Sequence, residues 1–151
     1  MSLIVQKFGG SSVADKERLF NVAAIIADAY REGNRIVAVV SAQGDTTDDL
    51  LAKAAEITSS PSLRETDMLL STGEQISASL LALAIGTMKL PVVSLNAWQA
   101  GIHSDSNYSN AKIKKIDTER ILRELDSGKI VIVTGFQGIN RFDDVTTLGR
   151  G

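Results

Sequence analysis

Two uninterrupted apolar runs, Ile36-Val37-Ala38-Val39-Val40 and Ile130-Val131-Ile132-Val133, restrict the possible folds of this chain more than any other feature. A strand with one wet face alternates apolar and polar side chains, so a run without a polar position belongs to a strand covered on both faces. Such strands are characteristically parallel, with helices packed on the sheet. Leu3-Ile4-Val5 and Val92-Val93-Ser94-Leu95, the latter introduced by Pro91, supply two more strands. Leu19, Val22, Ala23, Ile26 and Tyr30 recur at helical spacing, with Asp15 placed to cap the start and Gly33 the end. An α/β chain with a mainly parallel open sheet follows.

With 151 residues, 44% of them hydrophobic and 23% charged, the chain fits one globular domain with a sizeable core. A net charge of -2 and dispersed basic residues provide no electrostatic drive toward nucleic acid or an anionic membrane. With no cysteine and a single histidine, disulfide scaffolds, thiolate chemistry and most zinc arrangements are excluded. No uninterrupted apolar run approaches the length of a membrane span, and Met1 to Val5 has no signal-peptide character. The expected location is the cytoplasm.

Chemistry concentrates where strands lead into helices. Lys7-Phe8-Gly9-Gly10-Ser11-Ser12 follows the first strand and precedes a helix, a layout suited to phosphate. Paired glycines allow positive φ and close approach of main-chain N–H groups to an anion, Lys7 adds a point charge, and the serines add donors. Charge-assisted hydrogen bonds of this kind contribute roughly 1.5 to 3 kcal/mol each. A tight turn with a solvated lysine explains the hexapeptide equally well, and its spacing is neither that of a P-loop nor G-x-G-x-x-G.

A second strand-to-helix loop, Ser41 to Asp49, should face the same crevice, since ligands in open parallel sheets bind at the carboxyl ends of strands. Thr46 and Asp49 have capping-box spacing and Asp48 suits a helix N-terminus, whereas Thr47 is less easily assigned to structure. Residues 62–88 have a helical pattern opened by Ser62 and Glu65, within which Gly73 and Glu74 predict a local break or a ligand contact. An exposed glutamate on a kinked helix is the ordinary alternative. Residues 96–101 form another crevice-side loop, with Trp98 and His103 serving packing or the surface, and residues 101–110 are small and polar like a mobile excursion. Ala111 to Ile116 suggests a short strand, Asp117 a helix cap closed by Gly128, and residues 139–148 a hairpin turning at Asp143-Asp144.

Taken together, Lys7 to Val13, Val39 to Leu50, Asp67 to Ser77, Trp98 to Ile102, Ala111 to Ile113 and Gly135 to Gly151 resemble, in order, the amino-terminal part of the aspartate kinases, members of the amino acid kinase family. Thr146-Thr147-Leu148-Gly149-Arg150-Gly151 makes the resemblance specific. Gln43 stands where the family usually has methionine, and Tyr108 lies near its usual histidine. The resemblance implies a three-layer α/β/α sandwich and transfer of the γ-phosphoryl of ATP to the side-chain carboxylate of L-aspartate. Lys7 would neutralise the transferring phosphate, with Gly9, Gly10 and Ser11 as donors. Ser41 and Thr47 would line the acceptor side, Glu74 would take the ammonium of aspartate, and Arg150 would grip a carboxylate. Magnesium would arrive with ATP, with no metal site in the chain itself. Family members continue past the position of Gly151 into a nucleotide-binding half and ACT regulatory domains. The expectation is therefore an inactive fragment, residues 1–151, of an enzyme that is a homo-oligomer at full length. Two alternatives remain open at this point: a glutamate, acetylglutamate or carbamate kinase, and a non-catalytic fragment that binds an anion or a partner.

Overall fold

The computed structural model describes residues 2–149. Four parallel strands form the central sheet: β1 (Leu3–Phe8), β2 (Arg35–Val40), β3 (Val92–Leu95) and β6 (Ile130–Thr134), in the spatial order β1-β2-β6-β3. The two runs without polar residues occupy its centre, as two-sided burial demands.

Successive residues of these strands serve opposite faces. Ile36, Ala38, Val40, Ile130 and Ile132 pack with Val22 and Ile26 of α1 (Lys16–Arg31) and with Leu81 and Ile85 of α3 (Leu63–Gly86). On the other face Val37, Val131 and Val133 pack with Ala100 of α4 (Ala97–Ala100) and Leu125 of α5 (Glu119–Asp126). The result is the expected three-layer sandwich. At its edge, β1 turns Ile4 and Phe8 toward the first core and leaves Leu3 and Val5 exposed.

A second sheet was not expected. Three-residue strands β4 (Ile102–Ser104), β7 (Gln137–Ile139) and β8 (Val145–Thr147) join β5 (Ile113–Ile116) in the order β5-β4-β7-β8, with β4 and β7 parallel and the outer pairs antiparallel. The predicted hairpin is therefore real, and Asp143 makes its turn at φ 61°. The excursion at 101–110 is tied down by hydrogen bonds. Gly101 holds the left-handed conformation that ends α4, Ser104 Oγ meets Thr146 Oγ1 at 2.6 Å, and Asp105 Oδ1 accepts from the amides of Asn107 and Lys112. A side chain at Gly101 would also fall on the Asp117 carbonyl, so glycine is required there twice over.

Two local expectations fail. Thr46 does not cap α2 (Thr46–Ile57): it is the first helical residue, and its hydroxyl donates to Gln43 O at 2.5 Å. Gly73 does not break α3, which runs unbroken for 24 residues from a Ser62 cap. Here glycine provides clearance, since a Cβ would stand 2.9 Å from Ala42 Cβ and 3.3 Å from Thr46 Cγ2. Among the described residues α3 alone is long and apolar enough to cross a membrane, but it is half-buried and carries the buried polar residues Asp67, Ser71, Glu74 and Ser77. That is the pattern of a core helix.

Candidate active site

The carboxyl ends of β1, β2 and β6 are stitched together by their main chains. Ser41 N donates to Phe8 O at 3.1 Å, Gly44 N to Gly10 O at 3.0 Å, and Gly135 N to Val40 O at 2.8 Å. The glycine turn and the β2–α2 loop therefore form one surface, as their shared position at strand ends requires.

Lys7 is not in the turn but is the penultimate residue of β1, exposed and paired with Val39. Gly9 and Gly10 do not use positive φ: Gly9 has φ -76°, and Gly10 begins a 3-10 turn, Gly10–Val13. What excludes a side chain at Gly10 is the neighbouring loop, because a Cβ would lie 2.6 Å from Ala42 O. Gly9 faces open space. The first amides of a helical turn have no partner within it, so those of Gly10 and Ser11 remain as donors for an anion. Phosphate fits this cradle.

Glu74 departs far from ordinary carboxylate behaviour. It is 2% exposed, and its Oε2 accepts from Ala42 N at 2.9 Å, while its Oε1 has no partner among the described residues. Burial raises its pKa from 4.5 to about 7, only partly offset by the Ala42 hydrogen bond. The Ser77 hydroxyl, one turn along α3, is likewise buried without a partner. A carboxylate half-satisfied in this way gains most from a cationic donor.

Ser41 and Thr47 are half-buried at the start and end of the loop whose Ala42 amide binds Glu74, so these three residues share one corner. Lys7 and Phe8 lie on opposite faces of β1, which places Lys7 on the Val39 face and Glu74 on the α3 side; both belong to the same end of the sheet. Arg150 lies outside the described residues. The segment leading to it is anchored through Leu148 N to Phe136 O and Gly149 N to Ala111 O.

Two groups of residues around the site were missed. Gln137 is buried beneath it, its Oε1 accepting from Ala97 N and Thr134 Oγ1 and its Nε2 donating to Ser71 O. Beside it Arg64 donates twice to Asp144, Tyr108 OH donates to Asp144 Oδ2 at 2.7 Å, and Asn140 Nδ2 donates to Tyr108 OH. The Arg64 and Tyr108 donors hold the Asp144 carboxyl below the usual range, and the same hydrogen bond raises the Tyr108 phenol. Only proximity in the fold identifies these groups.

A cavity of about 660 Å³ lies at the opposite pole, between Tyr30, Arg35, Leu125 and Asp126. The carboxyl ends of α1 and α5 meet there, beside Arg31, Arg35 and Lys129 and at the end of the sheet away from the glycine turn. It is not the candidate phosphate site.

The amino acid kinase family model matches residues 2–151. The chain belongs to the amino acid kinase family. Amino acid kinases similar to it include the aspartokinase of Geobacillus stearothermophilus, 52% identical over 151 residues, and that of Bacillus sp. (strain MGA3), 50% identical. In each case the whole chain is covered, and it spans 37% of the relative's length. An aspartate kinase structure from Synechocystis superposes with a TM-score of 0.83 at 43% identity, covering 99% of this chain and 24% of that one. Aspartokinase III of E. coli, solved with aspartate and ADP, superposes at 0.86 over the whole chain and 44% of that protein; at 22% identity it speaks for the fold alone.

Proposed function

We propose that the chain is the amino-terminal part of an aspartate kinase, which transfers the γ-phosphoryl of ATP to the β-carboxylate of L-aspartate and so opens the route to lysine, threonine and methionine. The observation that carries this reading is Glu74, buried, bound at one oxygen by the Ala42 amide and unpartnered at the other. An α-ammonium group is the cation it suits. The aspartokinase relatives at about 50% identity support the choice of acceptor.

Phosphoryl transfer depends mainly on positioning and charge neutralisation. In this reading Lys7 opposes charge on the transferring phosphate, while Gly9, Gly10 and Ser11 present main-chain and hydroxyl donors to its oxygens. Ser41 and Thr47 line the acceptor side, and Arg150 takes a carboxylate. Magnesium would come with the nucleotide rather than on a residue of this chain and would supply charge neutralisation at the phosphates. Residues 1–151 supply the acceptor site and part of the phosphate site, the adenosine end belonging to a further half of the kinase domain. The full-length enzyme is then a cytoplasmic homo-oligomer.

Coupled ADP release by the full-length enzyme, with aspartate, glutamate, acetylglutamate and carbamate offered in turn, tests the reading. Turnover with aspartate alone is expected, and preference for another acceptor would replace aspartate by that substrate. Lys7→Ala should lower kcat by about 10²-fold or more, as loss of a transition-state donor does. A wild-type rate would leave only anion binding.

A further inference from the structure

Helix α3 carries five hydroxyl groups, and four of them turn back on the helix. Thr66 Oγ1 donates to Ser62 O at 2.8 Å, Ser71 Oγ to Met68 O at 2.8 Å, Thr72 Oγ1 to Leu69 O at 2.7 Å and Ser79 Oγ to Gln75 O at 2.8 Å. That bond is open to a helical serine or threonine by rotation about χ1. Ser77 does not make it. It is wholly buried, and its hydroxyl has no partner among the described residues. A buried hydroxyl left unpaired is destabilising, which marks this one as aimed at something other than its own helix.

Three residues before it stands the other unpartnered atom of α3, Glu74 Oε1. Side chains at i and i+3 are neighbours on a helix, about 5 to 6 Å apart at Cβ, and each leans toward the amino terminus. Ser77 therefore leans over the turn that carries Glu74. No charge competes for the free oxygen. The charged side chains of α1, α2 and the loop between β2 and α2 are exposed, as are Arg64 and Glu65 at the start of α3. Strands β3, β6 and β8 have no charged residue, β2 has only Arg35 at its far end, and Lys7 lies on the opposite face of the sheet. Asp67, two turns away on α3, is occupied by the amides of Ser109 and Thr147 and by the Thr147 hydroxyl. Glu74 thus answers to burial and to neutral donors alone.

We propose that Ser77 is a positioning residue for the acceptor: its hydroxyl donates, directly or through one bridging water, to the free oxygen of ionised Glu74, and so holds that carboxylate charged for the ammonium of the amino acid. The inference rests on the aspartate kinase reading and deepens it. A carboxylate oxygen has two acceptor positions, so Ser77 takes one and leaves the other to substrate. A water-mediated bond serves nearly as well as a direct one. Either is equivalent to about one pKa unit at a charged group.

The pH dependence of steady-state kinetics in the full-length enzyme tests this, with Ser77→Ala, Glu74→Gln and their double variant, and with Ser79→Ala as a control whose hydroxyl stays on its own helix. KM for aspartate climbs as pH falls and Glu74 takes up a proton. In Ser77→Ala that limb should lie about one pH unit higher, so that the two enzymes differ by about tenfold on it and by less than about twofold at pH 9, with KM for ATP within about twofold throughout. Ser79→Ala should follow wild type. Without substrate, Tm should fall further in Ser77→Ala than in wild type as pH rises through 7, since only the ionised carboxylate loses a donor, and the Glu74→Gln background should abolish that difference. Parallel curves, the mark of a hydroxyl that serves packing alone, or a rise in KM equal at every pH would overturn the proposal. A wild-type enzyme inactive on aspartate sinks the functional reading, and the Tm curves then decide whether Ser77 serves Glu74; an enzyme active on aspartate with unmoved curves sinks only this inference.

Discussion

The sheet β1-β2-β6-β3 buries Ile36, Ile130, Val131 and Ile132, whereas the sheet β5-β4-β7-β8 buries Ser104, Gln137, Thr146 and Thr147. The first is held by dispersion and by the removal of apolar surface from water, forces that need no particular partner. The second is held by directed contacts, such as Ser104 to Thr146 and Asp67 to Thr147, each of which fails if either member is displaced. The scaffold is therefore insensitive to detail while the site wall beside it is highly specified. That division suits a binding site, where geometry must be set to fractions of an ångström on a support that does not move.

The contrast is sharpest under truncation. Ile132→Ala, at a fully buried position of β6, should destabilise by about 2 to 5 kcal/mol in urea denaturation, the range for emptied core positions. Glu74→Gln comes next, and its sign depends on pH. A carboxyl whose pKa is about 7 folded and 4.5 unfolded contributes fully below pH 4.5, and that contribution is lost as pH rises through 7. The isosteric amide should therefore remove a stability slope worth roughly 3 kcal/mol between those limits, seen as a flatter curve of Tm against pH. The same titration should raise KM for aspartate toward about tenfold per pH unit below 7 in the full-length enzyme, because only the carboxylate pairs with an ammonium. A flat KM profile would detach Glu74 from the acceptor.

Ser104→Ala should cost about 1 to 3 kcal/mol, since it strands the buried Thr146 hydroxyl. A loss equal to that of Ile132→Ala would break the contrast between the two sheets. Arg64→Ala should have the smallest effect, the guanidinium being half-exposed. Because Asp144 titrates below its usual range, that contribution is present above the unfolded carboxylate pKa and disappears as acid protonates Asp144. Melting curves of variant and wild type should differ at neutral pH and converge at acid pH.

This division also explains what the sequence made legible. Runs such as Ile130 to Val133 announce two-sided burial, and Asp15, Gly33 and Gly128 punctuate their helices as chemistry dictates. Ile102–Ser104 and Gln137–Ile139 carry no such pattern, because three residues are too few to show a period. Gly73 and Glu74 stood out correctly as anomalies in an apolar helix, but a kink and a close approach leave the same mark on a sequence; only the position of Ala42 separates them. Asp67 gave no signal of its own. The donors it binds are 42 and 80 residues away, and nothing local foretells them.

α2 has no buried residue along its twelve positions, with Leu51 and Ile57 well exposed, although its first turn adjoins the corner where Glu74 binds Ala42. Its amide protons should accordingly exchange with solvent far sooner than those of α3, through openings that leave the main core intact. The corner around Glu74 can thus be rearranged at little thermodynamic expense, and access to a carboxylate sealed from water becomes a local event.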